Sequence, residues 1–234
     1  MQMIPNSRSG LIFLLLLFGI FSVTYAQNSS EQVVKYSPDF KFKEGIFLNF
    51  DQVRQNDPVL KSKIITNVEY DNPDFFERVL KEKKLQVFDN LGVKQEISTK
   101  NIWGFSRNGV LYISINNNYF RITIIGNICH FVASQTTYRN DYNPYYYSNP
   151  YYNPYYPYYP SARSSSDVEL KQYLLDFKTG NVLEYDEKSV ELLLMGDPEL
   201  HDEFAALSKK KRKQLKFLYI RKFNEKNPLY FPVN

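Results

Sequence analysis

Apolar and polar residues alternate over much of the chain between residues 45 and 186, and most of the alternating stretches end in turn chemistry. In "EGIFLNFDQV", Ile46, Leu48 and Phe50 alternate with Phe47 and Asn49 before the polar "RQNDP", which predicts a strand leading into a turn or one short helix. "IITNVEY" closes on "DNPD", and "LQVFDNLGVKQEIS" predicts a hairpin around "DNLG". "NIWGFSRNGVLYISI" predicts a tighter hairpin, because Asn108 and Gly109 both tolerate the positive φ that a two-residue turn requires. The scheme repeats in "YFRITIIGNICHFVAS" around Gly126 and Asn127, and in "VELKQYLLDFKTGNVLEYD" around Thr179, Gly180 and Asn181. Hairpins in succession predict an antiparallel β-meander, closed as a small barrel or left as a curled sheet. Only "PDFFERVLKEKK" interrupts it, with Phe75, Phe76, Val79 and Leu80 on one face of a short helix.

Beyond residue 186 the period changes from that of strands to that of helices. One helix should end near Gly196, a second should open on Asp197 as N-cap with Pro198 at its first position, and a third should open on Ser208. In the third, Leu215, Leu218, Tyr219 and Phe223 fall on one apolar face. The fold class expected is therefore α+β. Residues 27–39 are expected to form a flexible N-terminal segment, 40–186 a β-rich body, and 187–234 a helical C-terminal region packed on that body.

The first 26 residues have a different character: polar with one cation, Arg8, then apolar from Leu11 to Phe21, then short residues at Thr24 and Ala26. That is the layout of a secretory signal peptide, with cleavage expected between Ala26 and Gln27. The apolar run falls well short of the roughly 20 residues a membrane-crossing helix needs, and no later stretch reaches that length. Export to the periplasm, the outer-membrane periphery or the medium is the localisation expected, with no membrane-spanning segment once the signal is removed. Losing Arg8 leaves 28 cations against 25 acids, and so small an excess does not mark a nucleic-acid binder. The single cysteine, Cys129, has no internal disulfide partner and reads as a buried small apolar residue.

The body is interrupted by a Tyr/Pro/Asn low-complexity loop over 138–166. Its core, "NPYYYSNPYYNPYYPYYP", holds nine of the twenty tyrosines and five of the twelve prolines. Prolines remove amide donors and exclude a helix, which favours extended segments and turns in a long excursion between two strands. One reading is a solvated repeat that does little. The other is an aromatic binding surface formed by Tyr145, Tyr146, Tyr151, Tyr152, Tyr155, Tyr156, Tyr158 and Tyr159, because tyrosine joins an apolar ring to a polar tip. Asn143, Pro144 and Tyr146 formally spell an adaptor-recognition motif, but export argues against a cytosolic reader.

Catalytic signatures are sparse. His130 beside Cys129 lacks further metal ligands, and neighbours on a strand face opposite ways. His201 stands among Asp197, Glu199, Asp202 and Glu203, acids that a helix N-terminus attracts by itself. There is no Gly-x-Ser-x-Gly turn and no phosphate loop, and no cofactor is implied. "KKKRK" at 209–213 opens an amphipathic helix and reads as a solvated basic face, and Trp103 reads as a core residue.

The signal ending "TYAQ", "EGIFLNFDQVRQNDP", "IWGFSRNGVLYI" and "FLYIRKFNEKNPLYF" together resemble uncharacterised exported proteins of the Bacteroidota. The resemblance implies an envelope or secreted location and brings no catalytic residues with it. The expected function is a non-enzymatic binding or assembly protein whose partner is an envelope polymer or another envelope protein. The alternative is a small envelope hydrolase acting through carboxylates that carry no local motif.

Overall fold

An open antiparallel sheet of eight strands organises the chain, which a computed structural model describes over residues 32–89, 91–140 and 164–233. In chain order the strands and helices are β1 (Val33–Lys35), β2 (Gly45–Phe47), α1 (Phe50–Arg54), β3 (Val59–Leu60), β4 (Ile64–Ile65), α2 (Phe75–Val79), β5 (Lys84–Phe88), β6 (Lys94–Ser98), β7 (Gly104–Arg107), β8 (Val110–Ile115), β9 (Asn118–Ile124), β10 (Ile128–Asn140), β11 (Ser164–Asp176), β12 (Val182–Glu184), α3 (Glu187–Leu194), α4 (Pro198–Ala205), α5 (Lys209–Lys226) and β13 (Tyr230–Pro232). The large sheet runs β12-β11-β10-β9-β8-β7-β2-β3. Its end strands do not pair with each other, so of the two closures the sequence allows, the curled sheet is the one adopted and the barrel is not. A second sheet, β4-β5-β6, and a two-stranded pair, β1-β13, complete the β structure of the described residues.

Turn chemistry sets the hairpins. Asn108 and Gly109 both have positive φ, 53° and 77°, and join β7 to β8 with Arg107 opposite Val110. Asn49 caps α1 by accepting from the Gln52 amide, Asp197 caps α4 by accepting from Leu200, and Ser208 caps α5. Pro198 occupies the first turn of α4, where a missing amide costs nothing.

Strand alternation divides the apolar residues into three clusters. On one face of the large sheet Phe47, Leu111, Ile113, Cys129, Phe131 and Leu175 pack beneath Phe42 and Phe231. Phe231 belongs to β13, so the β1-β13 pair lies over this face, stacked on Phe40 at 4.6 Å. The opposite face is covered in two parts. Toward β2 and β7, Ile46 and Phe105 pack with Phe75, Phe76 and Val79 of α2 and with Leu85 and Val87 of β5. Toward β10 and β11, Ile128 and Leu174 pack with Val190, Leu194, Phe204, Tyr219, Ile220 and Phe223 of the three C-terminal helices.

Three features add to the sequence expectation or differ from it. Val33–Lys35, inside the segment read as flexible, pairs in antiparallel register with Tyr230–Pro232. Strand pairing continues into the span read as loop, ending with Asn140 opposite Ser164. On α5, Leu218 is 45% exposed and Ile220 is buried in its place, because the helix lies rolled toward the sheet on its Tyr219, Ile220 and Phe223 side.

The helical layer is fastened to the sheet by amides. Asn224 Oδ1 accepts from the Ile128 amide at 2.9 Å and its Nδ2 donates to the Ile128 carbonyl at 2.8 Å, so the side chain replaces a strand partner at the start of β10. Asn127 Nδ2 donates to the Asn227 carbonyl at 2.8 Å. Gly126 is what permits this approach, since a Cβ there would stand 2.5 Å from the Asn224 amide group. Truncating Asn224→Ala strands both backbone groups of Ile128 and should lower unfolding free energy by about 2 kcal/mol in urea titration; a loss below a few tenths would show that the clamp contributes little.

Candidate functional site

Two places are built unlike an ordinary folded surface, and the first is the outer half of the β10–β11 hairpin. β9 is in register with β10 only at His130 and Phe131, and β12 with β11 only at Tyr173–Leu175. From Ser134 to Asn140 and from Ser164 to Leu170, the two strands pair with each other and, among the described residues, are in register with no third strand, whereas Ala133 is still buried in the cluster under Phe231 and the Gln172 carbonyl still accepts from the Tyr185 amide. Seven residues of strand span about 23 Å. Val168 and Leu170 are 66% and 72% exposed on this ribbon, although β-branched and leucine side chains normally turn inward. Its two strands lead directly into residues 141–163. The eight tyrosines read as a binding surface fall in that stretch, outside the described residues, as does the Ala26–Gln27 cleavage site.

The second place is a cleft of about 440 Å³ between the loop that follows α2, the turn before β7, and the β8–β9 hairpin. Its floor is aromatic. Phe105 is fully buried and stacks on Tyr112 at 4.7 Å, while Tyr119 tilts against Phe105 at 5.3 Å and remains half-buried at the cleft wall. Burial raises the Tyr119 hydroxyl above its ordinary pKa, and a hydrogen bond with Ser114 offsets part of that rise. Lys81, Lys83 and Lys100 line one wall, and Asn117 and Asn118 the other.

The geometry of that lysine wall comes from backbone bonds. Thr99 donates its amide to the Lys83 carbonyl and its hydroxyl to the Glu82 carbonyl, which ties the "KEKK" loop to the turn carrying Lys100. Across the cleft, Asn116 and Asn117 adopt the left-handed conformation, at φ 53° and 62°, that turns β8 into β9. Glu77, also in the lining, is held by Arg107 at 2.8 Å. Lys81, Lys83 and Lys100 make no ion pair among the described residues, and Glu82 is the one acid left in the wall.

A wider cleft of about 770 Å³ opens between β1, the β11–β12 turn, α3 and the end of α5. Its polar lining is of mixed sign, Arg54 and Lys178 with Asp176, and its apolar lining includes Leu192 and Tyr230.

The residues singled out from sequence do not converge. Cys129 is fully buried and donates to the Gly126 carbonyl at 3.2 Å, and burial pushes its thiol up to about 12. His130, next to it, faces the other side of the sheet, where Nε2 meets Gln172 Oε1 at 3.0 Å and the ring lies edge-on to Tyr185. His201 contacts Asp202 at 3.0 Å, but the other acids near it are engaged elsewhere. Asp197 and Glu199 accept from Lys226, and Glu203 accepts from the Tyr219 hydroxyl and Lys222. No group of three or more His, Cys, Asp or Glu residues converges on a metal position among the described residues. "KKKRK" opens α5 with its lysines exposed, and Trp103 is half-buried against Phe50 at 5.6 Å.

Among the described residues, the carboxylates whose ionisation is displaced all move down. Asp89 is held low chiefly by the Val93 amide, Asp186 by the Ser189 amide, Asp197 by Lys226 and Glu203 by Lys222.

Comparison with known proteins adds no relative: no family model matches the chain, and no curated protein or solved structure is significantly similar to it. The class that the fold defines is an α+β protein with a curled antiparallel meander and a helical C-terminal cover.

A buried thiol with so high a pKa should resist alkylation. Folded protein treated with iodoacetamide at pH 8 should remain unmodified over hours and react within minutes in urea; labelling of the folded form at the free-thiol rate would contradict burial of Cys129.

Proposed function

We propose that the chain is an exported binding or assembly protein of the cell envelope, without enzymatic activity, in which the two-faced sheet is an anchored base and the β10–β11 ribbon carries an aromatic tract away from it. One observation carries the reading: the strand register continues unbroken to Asn140 opposite Ser164. The two ends of the Tyr/Pro/Asn tract are therefore held side by side at the far end of a ribbon that, among the described residues, has no other strand beside it. Tyrosine rings offer large contact area at small entropic cost, which suits an envelope polymer or a second envelope protein as partner. The leader and the resemblance to exported proteins of the Bacteroidota support the location.

The same register makes the test clean, because Asn140 and Ser164 are close enough for a two-residue Asn-Gly turn to replace 141–163. The shortened protein should keep its thermal midpoint to within about 2 °C, since the three clusters are assembled from residues outside the tract. It should lose its retention on cell-envelope fractions. Retention equal to that of the intact protein would remove the tract from the function.

A further inference from the structure

We propose that the aromatic-floored cleft walled by Lys81, Lys83 and Lys100 is a binding site for an acidic saccharide. It is a separate site from the tyrosine tract and lies on a different part of the sheet. Three features have to be satisfied together by any ligand. The lysine wall carries three cations against Glu82 alone once Glu77 is engaged by Arg107, so the cleft concentrates field on an anion. Tyr119 supplies an apolar ring and a hydroxyl at the cleft wall. Asn117 and Asn118 supply amides, which both donate and accept, on the side away from the lysines.

A pyranose bearing a carboxylate or a phosphate matches all three at once. Its C–H face lies on an aromatic ring, its hydroxyls exchange donors and acceptors with asparagine amides, and its anion meets the lysines. A purely apolar ligand leaves three ammonium groups desolvated without a counter-charge, and an inorganic anion leaves the aromatic surface unused. The volume of about 440 Å³ lies within the range of small-ligand sites and admits one or two sugar rings.

The test is calorimetric titration of the purified protein with a hexamer of galacturonic acid, beside a neutral glucose hexamer and adenosine triphosphate. The acidic hexamer should bind. Lys83→Glu with Lys100→Glu should weaken it about tenfold, while Lys209→Glu with Lys210→Glu, on the basic opening of α5, should change it less than twofold. Without any variant, amide resonances of Thr99, Asn118 and Tyr119 should shift on titration, and protein lacking 141–163 should bind equally well, so this site and the aromatic tract fail separately. The proposal is overturned by no heat at millimolar hexamer, by equal binding of the neutral sugar or of the triphosphate, by equal weakening in both variant pairs, or by shifts confined to other parts of the chain.

Discussion

Burial of both faces of one antiparallel sheet is the constraint on which the rest of the structure depends. In β10, Ile128 turns to the C-terminal helices while Cys129 and Phe131 turn to the cluster under Phe231; in β11, Leu174 and Leu175 divide the same way. Side chains alternate with a period of two, so sliding either strand by one residue would move His130 and Gln172 into an apolar cluster and expel Phe131. Register is therefore set over this stretch by burial on two sides, and the turn at Gly126 and Asn127 has only to join strands whose pairing is already decided.

The helical layer cannot drift from that sheet, because the Asn224 amide completes the hydrogen bonding of Ile128 as a neighbouring strand would. What this anchoring leaves exposed is as informative as what it covers. Past Ala133 on one strand and before Lys171 on the other, no third strand among the described residues is in register with the hairpin, and the chain extends it regardless. A ribbon that exposes Val168 and Leu170 is costly to maintain as decoration. The cleft follows from the same arrangement, since the cluster formed with α2 and β5 buries Phe105 completely but leaves Tyr119, packed at its edge, only half-buried.

Much of the architecture is legible in the sequence where local chemistry decides it. Asn108 with Gly109, Asp197 with Pro198, and the Phe75, Phe76, Val79 and Leu80 spacing each name an element through its own residues. Long-range pairing is not legible: nothing near Val33 announces that its partner is Pro232. Ile220 escapes a reading by spacing because the apolar face of α5 is broad and its roll depends on what lies beneath it. The lysine-walled cleft draws on segments around residues 81, 100 and 118, each unexceptional alone; "KEKK" after an amphipathic turn is its one local trace. The aromatic tract stands out by composition, yet the placement of its two ends rests on strand pairing that composition does not encode.

Amide hydrogen exchange tests the two-sided anchoring most directly. Cys129, Phe131 and Leu175 should exchange only through global unfolding, while the amides of Val168 and Leu170, beyond the last neighbouring strand, should exchange orders of magnitude faster. Slowest exchange in the β4-β5-β6 sheet, or uniform protection along the whole hairpin, would contradict it.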